Sequence, residues 1–411
     1  MRVAVLAHSF PRFPGDTHGP FVKHLSEALA NLGHRVDVLV PFDPEIREDP
    51  ETPLLIHSFR YFWPDRWHLL GYSRTLKRDV ALRAWAWLQS PLYFLFAERA
   101  LKRLVRRRQI HLVHAHWLLP NGYVASRVAR ATGVPYAVTL HGSDIFMAER
   151  NPLFRHLARR ALAGASHVTS CSADLRDRLL ALGGAEHADK VLLVPNGTDV
   201  EAEPAPSSGD GWRRRLGVTA DERLVVAVGR MVDKKGFRYL IEAAPAILAE
   251  HPRARIVLGG DGDLLPVLRA AAAAGGVADK VDFPGLLSHP EVLGLIAAAE
   301  VFVMPSVRDA RGNIDGLPIV VLEAMAAGKP VVATDVAGIP LAVDDGVNGV
   351  LVPPRDPAAL AAAVTGVLGD PGRAAAMGGA ARRKVSAELS WTAVARRHDA
   401  LYRRVGSAVR T

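Results

Sequence analysis

The sequence predicts an α/β protein made of two doubly wound parallel-sheet domains facing a cleft. Three observations carry this prediction. The chain of 411 residues is too long for one compact core and comfortable for two. Short apolar runs alternate with stretches of helical period, the pattern of parallel β-α units. The alternation breaks once, at Glu201-Ala202-Glu203-Pro204-Ala205-Pro206-Ser207-Ser208-Gly209-Asp210-Gly211, and then restarts. Two prolines, two serines and two glycines in those eleven residues read as a linker.

Taken in order, Val3-Ala4-Val5-Leu6-Ala7 is a short buried strand. A helix is expected over 21–32, with Gly33 as its C-cap, and a strand over 35–40. Further strands are expected at 111–116, 136–140, 167–170 and 191–194. After the linker they fall at 224–228, 255–258, 280–283, 301–304, 330–334 and 349–352. Helices are expected between them at 237–250, 264–274, 291–299 and 317–327, and from Pro357 to the end. The expected domains are 1–204 and 205–385, with a last helix over 386–411 packing back toward the first. A cleft between two such sheets opens at the carboxyl ends of their strands.

Composition excludes several classes. With 49% hydrophobic and 23% charged residues, the chain is folded rather than disordered. Cys171 is the only cysteine, so neither an internal disulfide nor a thiolate metal cluster can form, which fits a reducing cytoplasm. Met1-Arg2 leads straight into the first strand, with no room for a signal h-region. The greasiest stretch, 84–97, contains Pro91 and falls short of the ~20 residues of a membrane span. The net charge is +9, divided as +6 over residues 1–204 and +3 over 205–411. Such a balance suits nucleic acid, an anionic membrane surface or a phosphate-bearing substrate, and equally a chain merely rich in arginine.

The most informative stretch is Asp315-Gly316-Leu317-Pro318-Ile319-Val320-Val321-Leu322-Glu323. Its two acids lie eight apart, the first expected at a helix start and the second inside the helix, about 12 Å along the axis. A helix start offers free N–H groups to an anion, and carboxylates accept strongly from sugar hydroxyls. Gly229-Arg230-Met231-Val232-Asp233-Lys234-Lys235-Gly236 places cations at a strand-to-helix turn, where they can neutralise a leaving diphosphate. Gly259-Gly260-Asp261-Gly262-Asp263 forms a second such turn, without the third glycine of a dinucleotide fingerprint.

These residues resemble the donor-binding domain of the retaining glycosyltransferase family 4, the glycosyl transferases group 1, whose fold is GT-B with two Rossmann-like domains. The resemblance continues into the first half through Gly19-Pro20, His114-Ala115-His116-Trp117, Thr139-Leu140-His141-Gly142-Ser143-Asp144 and Pro195-Asn196-Gly197. It implies transfer of a sugar from a nucleotide diphosphate-sugar to a glycan or lipid-linked acceptor, with retention of configuration. By the same resemblance, Arg230 and Lys235 would hold the diphosphate, with Gly260 and Gly262 at the donor. Gly316, Leu317 and Pro318 would bring the helix tip to it. Asp315 would hold the transferred sugar and Glu323 the ribose. Gly19 would open its helix toward the phosphates, His141 would face the sugar, and His116 and Trp117 would lie near the acceptor. The family usually has glutamate where this chain has Asp315, a reach shorter by roughly 1.5 Å.

No cofactor is expected, and no metal. Apart from Asp261-Gly262-Asp263 in the glycine turn there is no Asp-x-Asp that could seat nucleotide-bound magnesium, and on a strand His111 points away from the face shared by His114 and His116. Tyr61-Phe62-Trp63-Pro64-Asp65-Arg66-Trp67, Trp85 and Trp87 precede six cations between Arg99 and Arg108. This segment fits peripheral contact with an anionic membrane, or core aromatics followed by a cation-rich helix end. Nucleic acid is not expected, since no binding motif is present. The rival readings are an inactive sugar-nucleotide binding module and, against the missing glycine fingerprint, a nicotinamide dehydrogenase of two Rossmann domains.

Overall fold

The structure, a computed structural model, describes residues 1–16, 18–47, 49–68, 70–71, 76–78, 81–82, 84–200 and 208–408. The chain divides into two units. The first is Met1–Val194 with the stretch from Trp391 onward, and the second is Pro195–Ser390. The boundaries lie at 194/195 and 390/391 rather than after 204 and 385. Thr198 explains the first: its N–H donates to the Leu389 carbonyl at 2.9 Å, so the chain has already joined the second unit.

Among the described residues, seven parallel strands form the first sheet. They are β1 (Arg2–Leu6), β2 (Arg35–Pro41), β3 (Leu55–Phe59), β4 (Leu112–His116), β5 (Tyr136–Leu140), β6 (His167–Ser170) and β7 (Val191–Leu193), in the order β3-β2-β1-β4-β5-β6-β7. Strand β3 was not legible: it is a half-exposed edge, Leu-Ile-His-Ser-Phe, without a continuous apolar run. The central strands are buried on both faces, with Val3, Val5 and Leu112 wholly inaccessible. A short antiparallel ribbon (Leu76–Arg78 with Ala81–Leu82) lies outside this sheet.

The second sheet contains β8 (Arg223–Val228), β9 (Ala254–Gly259), β10 (Val281–Gly285), β11 (Val301–Met304), β12 (Val331–Thr334) and β13 (Gly349–Val352). Their order is β10-β9-β8-β11-β12-β13, again all parallel. The helix Phe237–Glu250 shows why the helices pack on it. Phe237, Leu240, Ile241, Ala244 and Ile247 recur at helical spacing and are buried. Each fully buried leucine or isoleucine stabilises the unit by ~1.5–3 kcal/mol.

Part of the expected linker is helical. Residues 201–207 lie outside the described residues, but Ser208–Arg215 is a helix whose Trp212 is buried in the second core. The helix Trp391–Ala408 packs on Pro20–Asn31 within the first unit, where His34 Nε2 lies 3.0 Å from Asp399 Oδ1.

Candidate donor and acceptor sites

In both sheets the strand order reverses beside the first strand, between β1 and β4 and between β8 and β11. In open α/β sheets such reversals are where ligands bind, outside the carboxyl ends of the strands. Both sites carry the same backbone device. The helix after the first strand begins at a glycine in left-handed conformation, Gly19 (φ 64) or Gly236 (φ 66), and neither makes a side-chain cap. Any side chain there would collide with backbone. A Cβ at Gly236 would sit 1.8 Å from the Pro305 carbonyl oxygen, and one at Gly19 would sit 2.6 Å from that of Ser9.

In the second unit the loops around the reversal are knitted together. Val307 N–H donates to the Lys234 carbonyl, Met231 N–H to that of Asp261, and Gly338 N–H to that of Gly316. Gly260 runs so close to Gly229 that a Cβ would come within 2.0 Å of the Gly229 oxygen. Gly262 packs against Met231 in the same way. Into this frame project Lys234 and Lys235, one ammonium to each oxygen of Asp315. Lys234 Nζ lies 3.1 Å from Oδ1 and Lys235 Nζ 2.7 Å from Oδ2. Burial alone would raise the Asp315 carboxyl, but the two ammonium groups outweigh it and hold the pKa well below the usual range. Arg230 is exposed on the same turn.

The helix expected over 317–327 starts later, at Ile319, and ends at Ala326. Pro318 sits before it in extended conformation (ψ 119), and a residue preceding proline avoids the helical region, so Leu317 cannot extend the helix backward. Asp315 therefore belongs to a loop, and the two acids are not two helical turns apart on one axis. The Leu317 side chain turns into the core, so what it offers at this turn is its backbone. Glu323, on the helix, is largely buried and accepts from His289, with Nε2 to Oε1 at 2.9 Å. That contact raises the His289 pKa, against a smaller lowering by burial.

The first unit's reversal has another character. His141, after β5, is enclosed by rings. Trp117 lies 4.5 Å and Phe21 4.6 Å away between centroids, and His116 Nδ1 is 3.0 Å from His141 Nε2. Burial, with the neighbouring His114 and His8, lowers His141 to about 3, so the imidazole is neutral. His116 and Trp117 are themselves buried. Trp117 holds φ 68, a rare conformation for a bulky side chain. Asp144 supports it. Fully buried, it accepts from the N–H of Leu118 at 2.7 Å and of Gly142 at 2.9 Å, tying the two loops together. Both ring nitrogens of His114 are engaged, by Tyr402 and Thr139, each at 2.7 Å.

The profile described as Glycosyltransferase Family 4 matches residues 19–202, and that described as Glycosyl transferases group 1 matches 222–370. The 2-deoxystreptamine glucosyltransferase of Streptomyces kanamyceticus is 32% identical over 371 residues, 85% of this chain and 89% of that protein. The chain belongs to glycosyltransferase family 4. Another relative, the GDP-mannose-dependent alpha-(1-6)-phosphatidylinositol monomannoside mannosyltransferase of Mycobacterium tuberculosis, is 33% identical over 297 residues, 72% of this chain and 76% of its own. Among solved structures, sucrose-phosphate synthase from Thermosynechococcus elongatus superposes with a TM-score of 0.76 at 25% identity, covering 99% of this chain and 100% of that one. The fold is GT-B, and the chain is a glycosyltransferase. Nothing in these likenesses favours a nicotinamide dehydrogenase or an inactive module.

Set within the family, the second unit brings Lys235, Asp315, Gly316 and the turns of Gly229 and Gly260 to one strand reversal, with Glu323 on the adjoining helix. The first unit brings His141, His116 and Trp117 together. Lys234, Asp144 and His289 were missed as site residues. Lys234 looks like one more cation in a basic turn until Asp315 is seen opposite, and His289 and Glu323 are far apart in the chain.

Proposed function

We propose that the second unit binds a nucleotide diphosphate-sugar, and that the chain transfers the sugar to a glycan or lipid-linked acceptor with retention of configuration and without a bound metal. The observation that carries this reading is the pair of ammonium groups gripping Asp315 at the strand reversal of the second unit. When the bond between the sugar and the diphosphate breaks, negative charge gathers on the diphosphate. Lys235 and Arg230 stabilise it there, the task a metal ion performs elsewhere. Asp315 accepts from a hydroxyl of the transferred sugar and Glu323 from the ribose. His141, being neutral, positions by hydrogen bonding and not by charge. The GDP-mannose and phosphatidylinositol mannoside in the mycobacterial relative's name support a nucleotide donor and a lipid acceptor. Calorimetry with UDP, GDP and ADP tests the donor site: one should bind, and Lys235→Ala should weaken it. Binding unaffected by Lys235→Ala puts the phosphates elsewhere. Turnover should survive EDTA, and the product anomer should match the donor's; chelation that abolishes turnover, or an inverted product, overturns those parts.

A second element supports contact with an anionic membrane. Along the helix Ala84–Arg108, Leu88, Leu95 and Phe96 stand exposed at helical spacing, and the exposed Arg99, Arg103 and Arg106 continue the same face. Trp63, 83% exposed, and Trp67 lie in the preceding segment. The opposite face carries Tyr93, Ala97, Leu101 and Leu104 into the core. The side chains of Trp85 and Trp87 lie outside the described residues. Among the described residues no helix is long and apolar enough to cross a membrane. The protein should float with anionic vesicles, less so in high salt. Equal flotation with neutral vesicles removes the electrostatic part.

A further inference from the structure

We propose that Lys234 is a specificity-determining residue that acts through Asp315: it fixes the carboxylate that receives the transferred sugar, and it does not itself bind the diphosphate. This rests on the donor reading above. The two lysines are adjacent in sequence but differ in what their side chains cross. Lys235 folds over Gly229, where a Cβ would lie 3.2 Å from its Cε, and so runs past the end of β8 toward Oδ2. Lys234 reaches the other oxygen, Oδ1, at 3.1 Å. A carboxylate paired at one oxygen can still rotate about its Cβ–Cγ bond. Ion pairs at both oxygens restrain it, though the buried Oδ2 makes no hydrogen bond of normal geometry. The clamp is stiff because its two loops are bonded to each other as well. The Lys234 carbonyl accepts from Val307 N–H at 2.9 Å, and Gly236 is pressed against Pro305. All three side chains are less than one-fifth exposed, so the charges are weakly screened.

Such a clamp matters for a short acid. With one methylene fewer than glutamate, Asp315 has little freedom to seek a hydroxyl, so its position decides which sugar hydroxyl it meets. Lys234 sets that position, Lys235 is shared with the phosphates, and the division predicts different losses.

The test is a double-mutant cycle on the full chain with the sugar nucleotide that the donor screen identifies. Lys234→Gln should lower turnover about tenfold or more while changing affinity for the free nucleotide diphosphate less than threefold. In an Asp315→Asn background the same change should have almost no further effect, because its target is gone. Lys234→Arg should restore most of the turnover. Preference between epimeric sugar donors should narrow in Lys234→Gln. Melting temperatures of all variants separate misfolding from misplacement, and a variant that falls on stability is replaced by Lys234→Met. If Lys234→Gln weakens the free nucleotide as much as Lys235→Gln does, or if its effect adds fully to that of Asp315→Asn, Lys234 is a phosphate ligand and the proposal is wrong. If the parent chain binds no sugar nucleotide at all, it is the donor reading that has failed.

Discussion

The two units solve the same topological problem with opposite chemistry. Both place a left-handed glycine, Gly19 or Gly236, before the helix that follows the first strand, and both reverse strand order beside that strand. At the first unit's reversal stand uncharged rings: His141 near pKa 3, His116 lowered well below its ordinary value, and Trp117. At the second unit's reversal stand two ammonium groups and a carboxylate. The shared fold supplies a place and open helix N–H groups. The residues between strand and helix decide what the place can do. A neutral, ring-lined reversal suits a sugar face, and a cationic one suits phosphate.

The largest expected effect sharpens that contrast. On the proposed donor reading, Lys235→Ala removes a cation that stabilises the leaving diphosphate, and the expected loss is about 10²–10³ in turnover. His141→Ala removes a neutral group that the same reading uses only for positioning, and it should cost less under saturating donor. Steady-state kinetics on both variants decides. A greater loss at His141 breaks the assignment of charge stabilisation to the second unit.

The glycine pair comes next. A non-glycine residue in left-handed backbone costs about 1–3 kcal/mol, and collision adds to it. Gly236→Ala should destabilise its unit more than Gly19→Ala does, since the added carbon meets backbone at 1.8 Å rather than 2.6 Å. Denaturant melts of both variants, followed by unit-specific hydrogen exchange, measure the difference. Equal losses would mean that the Ser9 loop is as unyielding as the Pro305 loop.

Acid should separate the units further. His114, His116, His167 and His398 are buried in the first unit and lowered mainly by burial, His167 to about 4 and His398 to about 3. The unfolded chain takes up protons below its ordinary value of 6.5, and the native unit does not. Stability is therefore full above pH 6.5 and declines as pH falls toward the native values, by up to about 1.4 kcal/mol per pH unit for each histidine. Hydrogen-exchange protection, corrected for intrinsic rate, should drop between pH 7 and 5 in β4–β6 and the helix Trp391–Ala408 before it drops in β8 and β11. Parallel loss in both sheets would refute this.

Much of this was legible because parallel strands buried on both faces leave unmistakable apolar runs, and β4, β8 and β11 were located within a residue or two. The edge strand β3 was not, because a half-exposed edge has no such run. Asp315, Glu323, Lys235 and His141 stood out by residue type and motif. Their partnerships did not. The spacing puts Asp315 at the start of a helix over 317–327, and Pro318 moves that start to Ile319. Lys234 facing Asp315, and Asp144 accepting from Leu118, are contacts between chain-distant loops that no local spacing encodes.

The smallest expected effect lies in the second unit and runs opposite in sign to the histidines of the first. His289, paired with Glu323 at 2.9 Å, has a raised pKa. Its charged form holds the carboxylate below the ordinary value of 6.5, and that hold is lost as pH rises through the raised value. Glu323 is then free for the ribose contact proposed for it. Affinity for the nucleotide diphosphate should therefore climb by a few-fold between pH 6 and pH 8. The climb stays modest because the His289 side chain is 60% exposed and solvent screens the pair. His289→Ala should flatten this dependence and leave affinity near the high-pH value. Glu323→Gln should flatten it too, but at low affinity, and should return the His289 resonance toward 6.5 in an NMR titration. Calorimetry across that range on the parent and both variants reads all three outcomes. An affinity that stays pH-dependent in His289→Ala would show that the proton sits elsewhere, and that Glu323 is not regulated by its neighbour.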